Sequence, residues 1–560
     1  MASVPPVQAD IPITTEPLIS SVSSSSLDDK NVSIRTSARS SPSEEDLSFK
    51  NNPFIDPRSA TQWKQVYDDC NYECRHVFDA TLDWTEEEEK RIIRKLDWRV
   101  CLWACTMFFA LQVDRGNLVQ VVSDNFLDDL NINTNDYNVG NTLFLVAFFF
   151  AELPSQLISK KLGPDRWVPA QICLWSIVAA LQCLINSRGS FYATRVLLGI
   201  LEGGFIPDIV LWLSYFYTSK ELPIRLSYFW TTLSVTGVVT SLLAFALLRL
   251  RGVLGWAGWR WLFLIEGIIT FIVGVCSFFM MPASAVQTKT WFRPNGWFTD
   301  REVAIVVNRV LRDDPSKGDM NNRQAVSPKV LWACLSDYDL WPLYLLGFVI
   351  YIPQAPPTKY ITLILREVGF DTFTTNVLTI PYNVIHIITL ILLTRLSEYV
   401  GERTLVSSLQ NIWCLPGLAA LLWWPGTVVD AWGTYALLTV FLGYPYCHAI
   451  LVAWVSKNSN NVGTRSVSAA VYNMAVQAGN VVGNFIYLDD DKPLYKRGNS
   501  VLFAINLFGI AIFLATKVYY IWRNKSRDRI WNAMTEEERA NYIATTTDVG
   551  SRRLNFRFAH

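Results

Sequence analysis

The segment RVLLGILEGGFIPD, Arg195 to Asp208, sets an arginine and a glutamate inside a run that is otherwise as apolar as a membrane span. An ionised group at bilayer depth is costly, so such residues face a partner or a water-filled path. Arg195 and Glu202 sit two turns apart on one helical face, roughly 10 Å along the axis, too far to neutralise each other directly. Each therefore needs another partner. Gly199, Gly203 and Gly204 permit close helix packing. Pro207 frees a backbone carbonyl and can kink the span.

The rest of the chain shares this character. Of 560 residues, 51% are hydrophobic and 18% charged, with 31 Phe and 22 Trp, which is too apolar for a soluble enzyme of this length. Apolar runs of about 20 residues, as a ~30 Å hydrocarbon core requires, recur twelve times: 98–121, 139–159, 167–186, 190–214, 223–249, 259–281, 338–362, 375–395, 404–425, 431–456, 464–487 and 499–523. The expected fold is an all-α membrane protein with twelve transmembrane helices in two six-helix bundles. The polar stretch Thr288 to Asp337 separates the halves. The expected organisation is an N-terminal tail over 1–90, a bundle over 91–285, a central loop over 286–337, a second bundle over 338–525 and a tail over 526–560. The serines of Ser20–Ser26 and the polar residues after them cannot bury enough surface to fold, so the N-terminal tail is expected to be disordered. Thr85 followed by Glu86 to Glu89 predicts a capped helix start.

Lys and Arg are enriched in cytoplasmic loops. The loop after the first span holds Asp124, Asp128, Asp129 and Asp136 with no Lys or Arg. The loop after the second holds Lys160, Lys161 and Arg166, and the central loop and the segment after the last span are rich in Arg and Lys. Both termini are expected in the cytoplasm, although Arg249, Arg251, Arg260, Lys492, Lys496 and Arg497 run against the trend. Zero net charge argues against nucleic acid as a partner. The scattered cysteines imply no disulfide framework. Cys70 and Cys74 with His76 lack the second pair that a zinc site needs, so no metal is expected. There is no P-loop, HExxH or GxSxG, so catalytic residues, and an enzyme, are not expected.

Depth shows which intramembrane charges can meet. Asp114 in the outward-running first span and Arg195 in the inward-running fourth share a level, and form a candidate ion pair, either a static brace or a moving gate. Arg115 points about 100° away around the helix. It is then free for a carboxylate, sulfonate or sulfate, the alternative being that it snorkels to the outer headgroups. Glu202 near mid-bilayer can bind and release a proton, or stay protonated as a hydrogen-bonded acid. Asn473, Gln477, Asn480 and Asn484 step along one face of the eleventh span, as cavity lining or interhelical glue. In the seventh span, Tyr351 and Gln354 precede Pro356 and Pro357, where a broken helix can expose backbone to a ligand. Lys359 is expected at the outer interface. His386 and His448 can titrate near neutral pH or sit hydrogen-bonded between helices.

LISKKLGPDRW at Leu157–Trp167 and LTRLSEYVGERTL at Leu393–Leu405 stand at matching places in the two halves. The pair resembles the loop motif of the major facilitator superfamily, without its glycine-rich beginning. Asp114, Arg115, Gly116 and Asn117, the RVLLGILEGGFIP run, and YNMAVQAGNVVGNFIY followed by Asp491, Pro493, Tyr495 and Gly498 resemble the fungal allantoate permease family of anion:cation symporters over about residues 95–525. SDNFLDDLNINTNDYN (Ser123–Asn138), AELPSQLISKKLGPDRW (Ala151–Trp167) and SYFYTSKELPIRLSYFW (Ser214–Trp230) are most similar to its alternative sulfate and sulfonate branch.

The resemblance implies a major facilitator fold and proton-coupled uptake of a small anion across the fungal plasma membrane by a monomer. No cofactor beyond the coupling proton is implied, and the partners are the anion, the proton and the lipid bilayer. Arg115, Asn117, Tyr351, Gln354, Asn473, Gln477 and Asn480 are the expected substrate-binding residues. Glu202, Asp114 and Arg195 are the expected coupling and gating residues. Related permeases carry ureides, vitamins, dipeptides or cysteine, and a non-transporting nutrient sensor could share the fold.

Overall fold

The computed structural model describes residues 53–560 except 56, 70–71, 219–220, 319–331, 333–334, 428, 460–461 and 547–549. Helix α1 (Pro57–Asp69) and helix α2 (Glu86–Leu96) precede α3 (Leu102–Val121), which continues from α2 through the π-helical turn Asp97–Cys101. The N-terminal half proceeds through α4 (Thr134–Leu162), α5 (Pro164–Leu181), α6 (Arg188–Glu202) with α7 (Phe205–Ser214) as two pieces of span four, α8 (Leu222–Leu247) and α9 (Gly258–Met280). The central loop carries α10 (Asp300–Asp313). In the C-terminal half, α11 (Trp341–Val349) and α12 (Ala355–Glu367) make span seven, and α13 (Thr372–Leu378) and α14 (Ile380–Val400) make span eight. There follow α15 (Thr404–Trp423), α16 (Ala431–Leu442) with α17 (His448–Asn458), α18 (Val462–Gly483), α19 (Lys496–Ala533) and α20 (Glu536–Thr545).

Every apolar run thus falls on helix, and the described residues hold no strand. Among those residues, 8 helical stretches are by themselves long and apolar enough to cross a membrane. The helices of spans two and eleven fall outside that set, spans seven and ten are interrupted, and span four breaks at Gly203 and Gly204. Such breaks inside a bilayer persist only where protein takes up the freed backbone groups.

Glycines set how closely the spans approach. A Cβ on Gly199 of α6 would lie 2.4 Å from the Phe144 carbonyl oxygen on α4, and one on Gly267 of α9 would lie 2.5 Å from the Ala180 backbone nitrogen on α5. Between the halves, Asn138 donates to the Tyr487 carbonyl at 2.8 Å and Tyr360 to Asn138 at 2.8 Å. Thr134 donates to Asp489 at 2.9 Å, Thr362 to the Val119 carbonyl at 2.6 Å and Asn376 to Ser123 at 3.0 Å. These bonds cluster at the end remote from α10, on the loops between spans one and two and spans eleven and twelve, and on the turns beside them.

At the other end each half is tied to its own flanking segments, and here the structure corrects the expected tails. Residues 53–90 fold against the central loop: Tyr67 is fully buried and donates to the Pro315 carbonyl at 2.9 Å. Asn308 of α10 bonds both the Val77 carbonyl and the Asp79 amide, each at 2.8 Å. The capped start at Thr85 forms, with Thr85 and Glu88 bonding each other's backbone amides. Glu88 pairs with Arg301 at 2.7 Å, and that guanidinium holds its carboxyl down at about 2. Polar composition misleads here because the segment borrows its core from elements distant in the chain. Ser20–Ser26 and Cys70 lie outside the described residues.

The C-terminal tail is likewise docked rather than trailing. Helix α19 runs on to Ala533, beyond the expected end of the last span. Ser551 then donates to Asp337 at 2.6 Å, and the Ala559 carbonyl accepts from Trp454 at 2.7 Å. Arg523 closes on Asp339 at 2.7 Å.

Candidate substrate and coupling site

Glu202 is the last residue of α6. The helix stops there because Gly203 is extended and Gly204 takes φ +86, a left-handed conformation that glycine adopts without strain. Pro207, which has no amide hydrogen, falls in the first turn of α7, where none is needed. Gln171 of α5 donates to the Gly203 carbonyl at 2.9 Å and the Leu201 carbonyl at 3.1 Å, so a side chain answers the carbonyls that the break releases. The result is a carboxyl group only 1% exposed at a helix break.

Its partner is Arg115, whose Nε donates to Glu202 Oε2 at 2.6 Å. The guanidinium also lies over the Phe148 and Phe144 rings, 4.8 and 5.4 Å from their centroids. Arg115 Nη2 and Glu202 Oε1 are buried without hydrogen-bond partners among the described residues. The guanidinium thus has donor capacity left over while its neighbour holds it in place.

The expected Asp114–Arg195 ion pair is not formed. Asp114 Oδ2 accepts from Trp175 Nε1 at 3.1 Å, and Arg195 lies over the Phe144 ring at 4.7 Å with no acid within 4.0 Å among the described residues. The cause is rotation. Span one turns Arg115 toward span four and Asp114 toward spans three and six, the reverse of the facing that a shared depth suggested. Arg115, expected to be free, is the residue engaged by an acid.

Two residues enter the site unforeseen. Glu266, in the middle of α9, is fully enclosed next to Asn117 and within electrostatic range of Asp114. The same rule that singled out Glu202, a lone acid in an apolar run, would have found it. Lys359 of α12, expected at the lipid interface, instead turns inward, hydrogen-bonds Asn484 and lies within electrostatic range of Arg195. Asn484 also donates to Thr142 of α4 at 3.1 Å, so it works as interhelical glue.

The C-terminal half contributes hydroxyls, amides and rings. Span seven breaks between Val349 and Ala355, as Pro356 and Pro357 suggested, and Tyr351 and Gln354 lie at the break. Tyr351 and Tyr472 share a hydroxyl–hydroxyl bond of 2.8 Å, while both amide atoms of Gln354 are buried without a partner among the described residues. Gln410 of α15 accepts from the Cys447 amide at 3.0 Å and donates to the Ile350 carbonyl at 3.4 Å, answering the breaks of spans ten and seven together. Asn473, Gln477 and Asn480 are half-buried and form no side-chain hydrogen bond among the described residues. His448 packs among Tyr446, Tyr351, Tyr472 and Trp230, with ring centroids 5.3 to 5.8 Å away, and His386 packs on Tyr444 at 4.7 Å.

The described geometry has matches among known proteins. A family model described as Major Facilitator Superfamily matches residues 104–484. The chain is 45% identical over 515 residues to the uncharacterized transporter YIL166C of Saccharomyces cerevisiae, covering 92% of this chain and 95% of that protein. It is 24% identical over 440 residues to the MFS-type transporter efuF of Hormonema carpetanum, covering 78% and 87% respectively. Among solved structures, a bacterial homolog of the human lysosomal transporter Spinster, inward-facing and unoccupied, matches with a TM-score of 0.56 at 15% identity over 78% of this chain and 98% of that one. At that identity the likeness is one of fold alone.

Proposed function

Because this chain belongs to the major facilitator superfamily, whose members among its relatives are transporters and not enzymes, we propose that it imports a small anion together with a proton, the anion being a sulfonate, sulfate or related sulfur oxyanion. The observation that carries this reading is the enclosed Arg115–Glu202 pair at 2.6 Å. A carboxylate and an anionic substrate compete for one guanidinium. When Glu202 takes a proton, its hold on Arg115 weakens and the planar fork of donors becomes available to an oxyanion. When the proton leaves, Glu202 reclaims Arg115 and expels the anion. Binding of one ligand is thereby tied to binding of the other.

Arg195 and Lys359 add positive charge on the side facing the C-terminal half, with no acid within 4.0 Å among the described residues to cancel it. The sulfur class rests on the resemblance of the loops to the sulfate and sulfonate branch. The rings of Tyr351, Tyr446 and His448 suit the carbon body of an organic sulfonate better than bare sulfate. Gln354, Asn473, Gln477 and Asn480 supply neutral donors. A co-transported proton offsets the charge that an inside-negative potential opposes. The Lys- and Arg-rich loops support a reading with both termini in the cytoplasm, and the family resemblance supports a multi-pass monomer in the plasma membrane.

Uptake of labelled taurine and of labelled sulfate into vesicles containing only this protein, at acidic and neutral external pH and in competition with allantoate and cysteine, tests the reading. Saturable, acid-stimulated entry of a sulfur compound is expected. Entry of neither sulfur compound alongside entry of a competitor would refute the substrate class.

A further inference from the structure

Beyond the Arg115–Glu202 pair lies a second set of buried polar groups. Glu266 of α9 is 0% exposed, and neither of its carboxyl oxygens has a hydrogen-bond partner among the described residues. Across from it on α3, Asp114 and Asn117 are also 0% exposed, and Asp114 Oδ1 and both amide atoms of Asn117 are unpartnered. Thr270, one turn along α9 from Glu266 and beside Asp114, has an unpartnered buried hydroxyl.

The charged surroundings are sparse. No Lys, Arg or His lies within 4.0 Å of either carboxyl among the described residues. Helix α5 presents Trp175, bonded to Asp114 at 3.1 Å, and Cys173, which faces α9 only at Gly274, two turns from Glu266. Helix α8 brings Thr240 against Gly116 and no titratable group at this depth. Glu202 lies beyond Asp114 and is occupied by Arg115.

Two carboxylates enclosed together without a cation would place two like charges in a medium of low dielectric. One proton between them removes half of that charge. It also gives Glu266 an O–H that can donate to the Asn117 carbonyl beside it. We propose that Glu266 is a second coupling residue, which takes up a proton shared with Asp114 from one side of the membrane and releases it to the other side in each transport cycle, separately from the proton on Glu202. This rests on the reading of the chain as a proton-coupled transporter and adds a second proton to it. The link to transport is α3. Asp114 and Arg115 are consecutive, so a rotation of α3 that frees Arg115 for substrate also moves Asp114 relative to Glu266, changing the separation that decides whether the proton stays.

The test needs no substrate in its first arm. Infrared difference spectra of the purified full chain, titrated from acid to alkaline pH, are expected to show a protonated-carboxyl band that disappears with rising pH and is missing in Glu266→Gln. In proteoliposomes, the number of protons moved per anion is expected to fall by one in Glu266→Gln, while exchange of labelled for unlabelled substrate at equal pH persists. A band that never titrates, a band that sodium removes at constant pH, or an unchanged proton number would overturn the proposal. Should Glu266→Gln fail to fold, Asn117→Ala and Thr270→Val carry the test. Each is expected to move the band's midpoint by about one pH unit, a tenfold change in proton affinity, and a midpoint unmoved in both overturns it. Failure of the anion reading would leave the infrared result standing, so the two are separable.

Discussion

In the N-terminal half, α3, α6 and α9 enclose Asp114, Glu202 and Glu266 together with Arg195, and Arg115 closes the set. In the C-terminal half, α12, α17 and α18 offer mainly hydroxyls, amides, imidazole and aromatic rings, with Lys359 as the one cation named at the site. The backbone is nevertheless handled alike in both. A glutamine on the third span of each half, Gln171 and Gln410, bonds the groups that broken helices leave open. The halves share the means of keeping a helix interrupted and differ in what is displayed at the interruption. Charged groups are concentrated in one half and neutral ones in the other; under the proposed function the first handle the proton and the anion and the second shape specificity.

Removing Arg115 should break this contrast most severely. Arg115→Ala leaves Glu202 enclosed without its cation, a change worth about 3–5 kcal/mol. Uptake should fall by about 100-fold or more, and the melting temperature of the purified protein should drop. Arg115→Lys keeps the charge without the planar fork. Full uptake by that variant would show that the fork is not used.

Packing at two glycines, one in each half, comes next. Gly199→Ala drives a methyl to within 2.4 Å of the Phe144 carbonyl and should cost about 1–3 kcal/mol. Gly483→Ala, 3.5 Å from Ala355, should be neutral or stabilise by up to about 1 kcal/mol. Thermal unfolding in detergent compares the two directly, and equal destabilisation would contradict the close approach of spans two and four.

A smaller effect is expected in the neutral half. Tyr351→Phe forfeits the bond to Tyr472 at 2.8 Å, about 0.5–1.5 kcal/mol. It should raise KM several-fold with little change in the maximal rate. A variant that loses acid stimulation instead would place coupling in the C-terminal half.

The all-helical class was legible because bilayer burial imposes a length and a polarity on each segment that composition alone reveals. The broken seventh span was legible in Pro356 and Pro357. Which residues meet across helices was not. Asp114 and Arg195 share a depth, but the rotation of α3 decides the partner, and hydropathy carries no information on rotation between neighbours. Glu266 was within reach of the same rule that found Glu202. The distance of Lys359 from the span's end points to the interface, whereas its bond to Asn484 depends on how α12 faces the other half. The folding of residues 53–90 was hidden for a related reason: Tyr67 and Asn308 find partners hundreds of residues away, and no local pattern announces them.

The central claim is that protonation of Glu202 frees Arg115 for the anion, and Glu202→Gln tests it most directly. Labelled substrate uptake into vesicles should be compared with and without an inward proton gradient, alongside exchange of labelled for unlabelled substrate at equal pH. The account predicts that the variant still exchanges substrate, with a weaker dependence on pH than the unaltered protein, and accumulates much less of it when a gradient is imposed, because only the proton on Glu266 remains. Gradient-driven accumulation equal to that of the unaltered protein would contradict it.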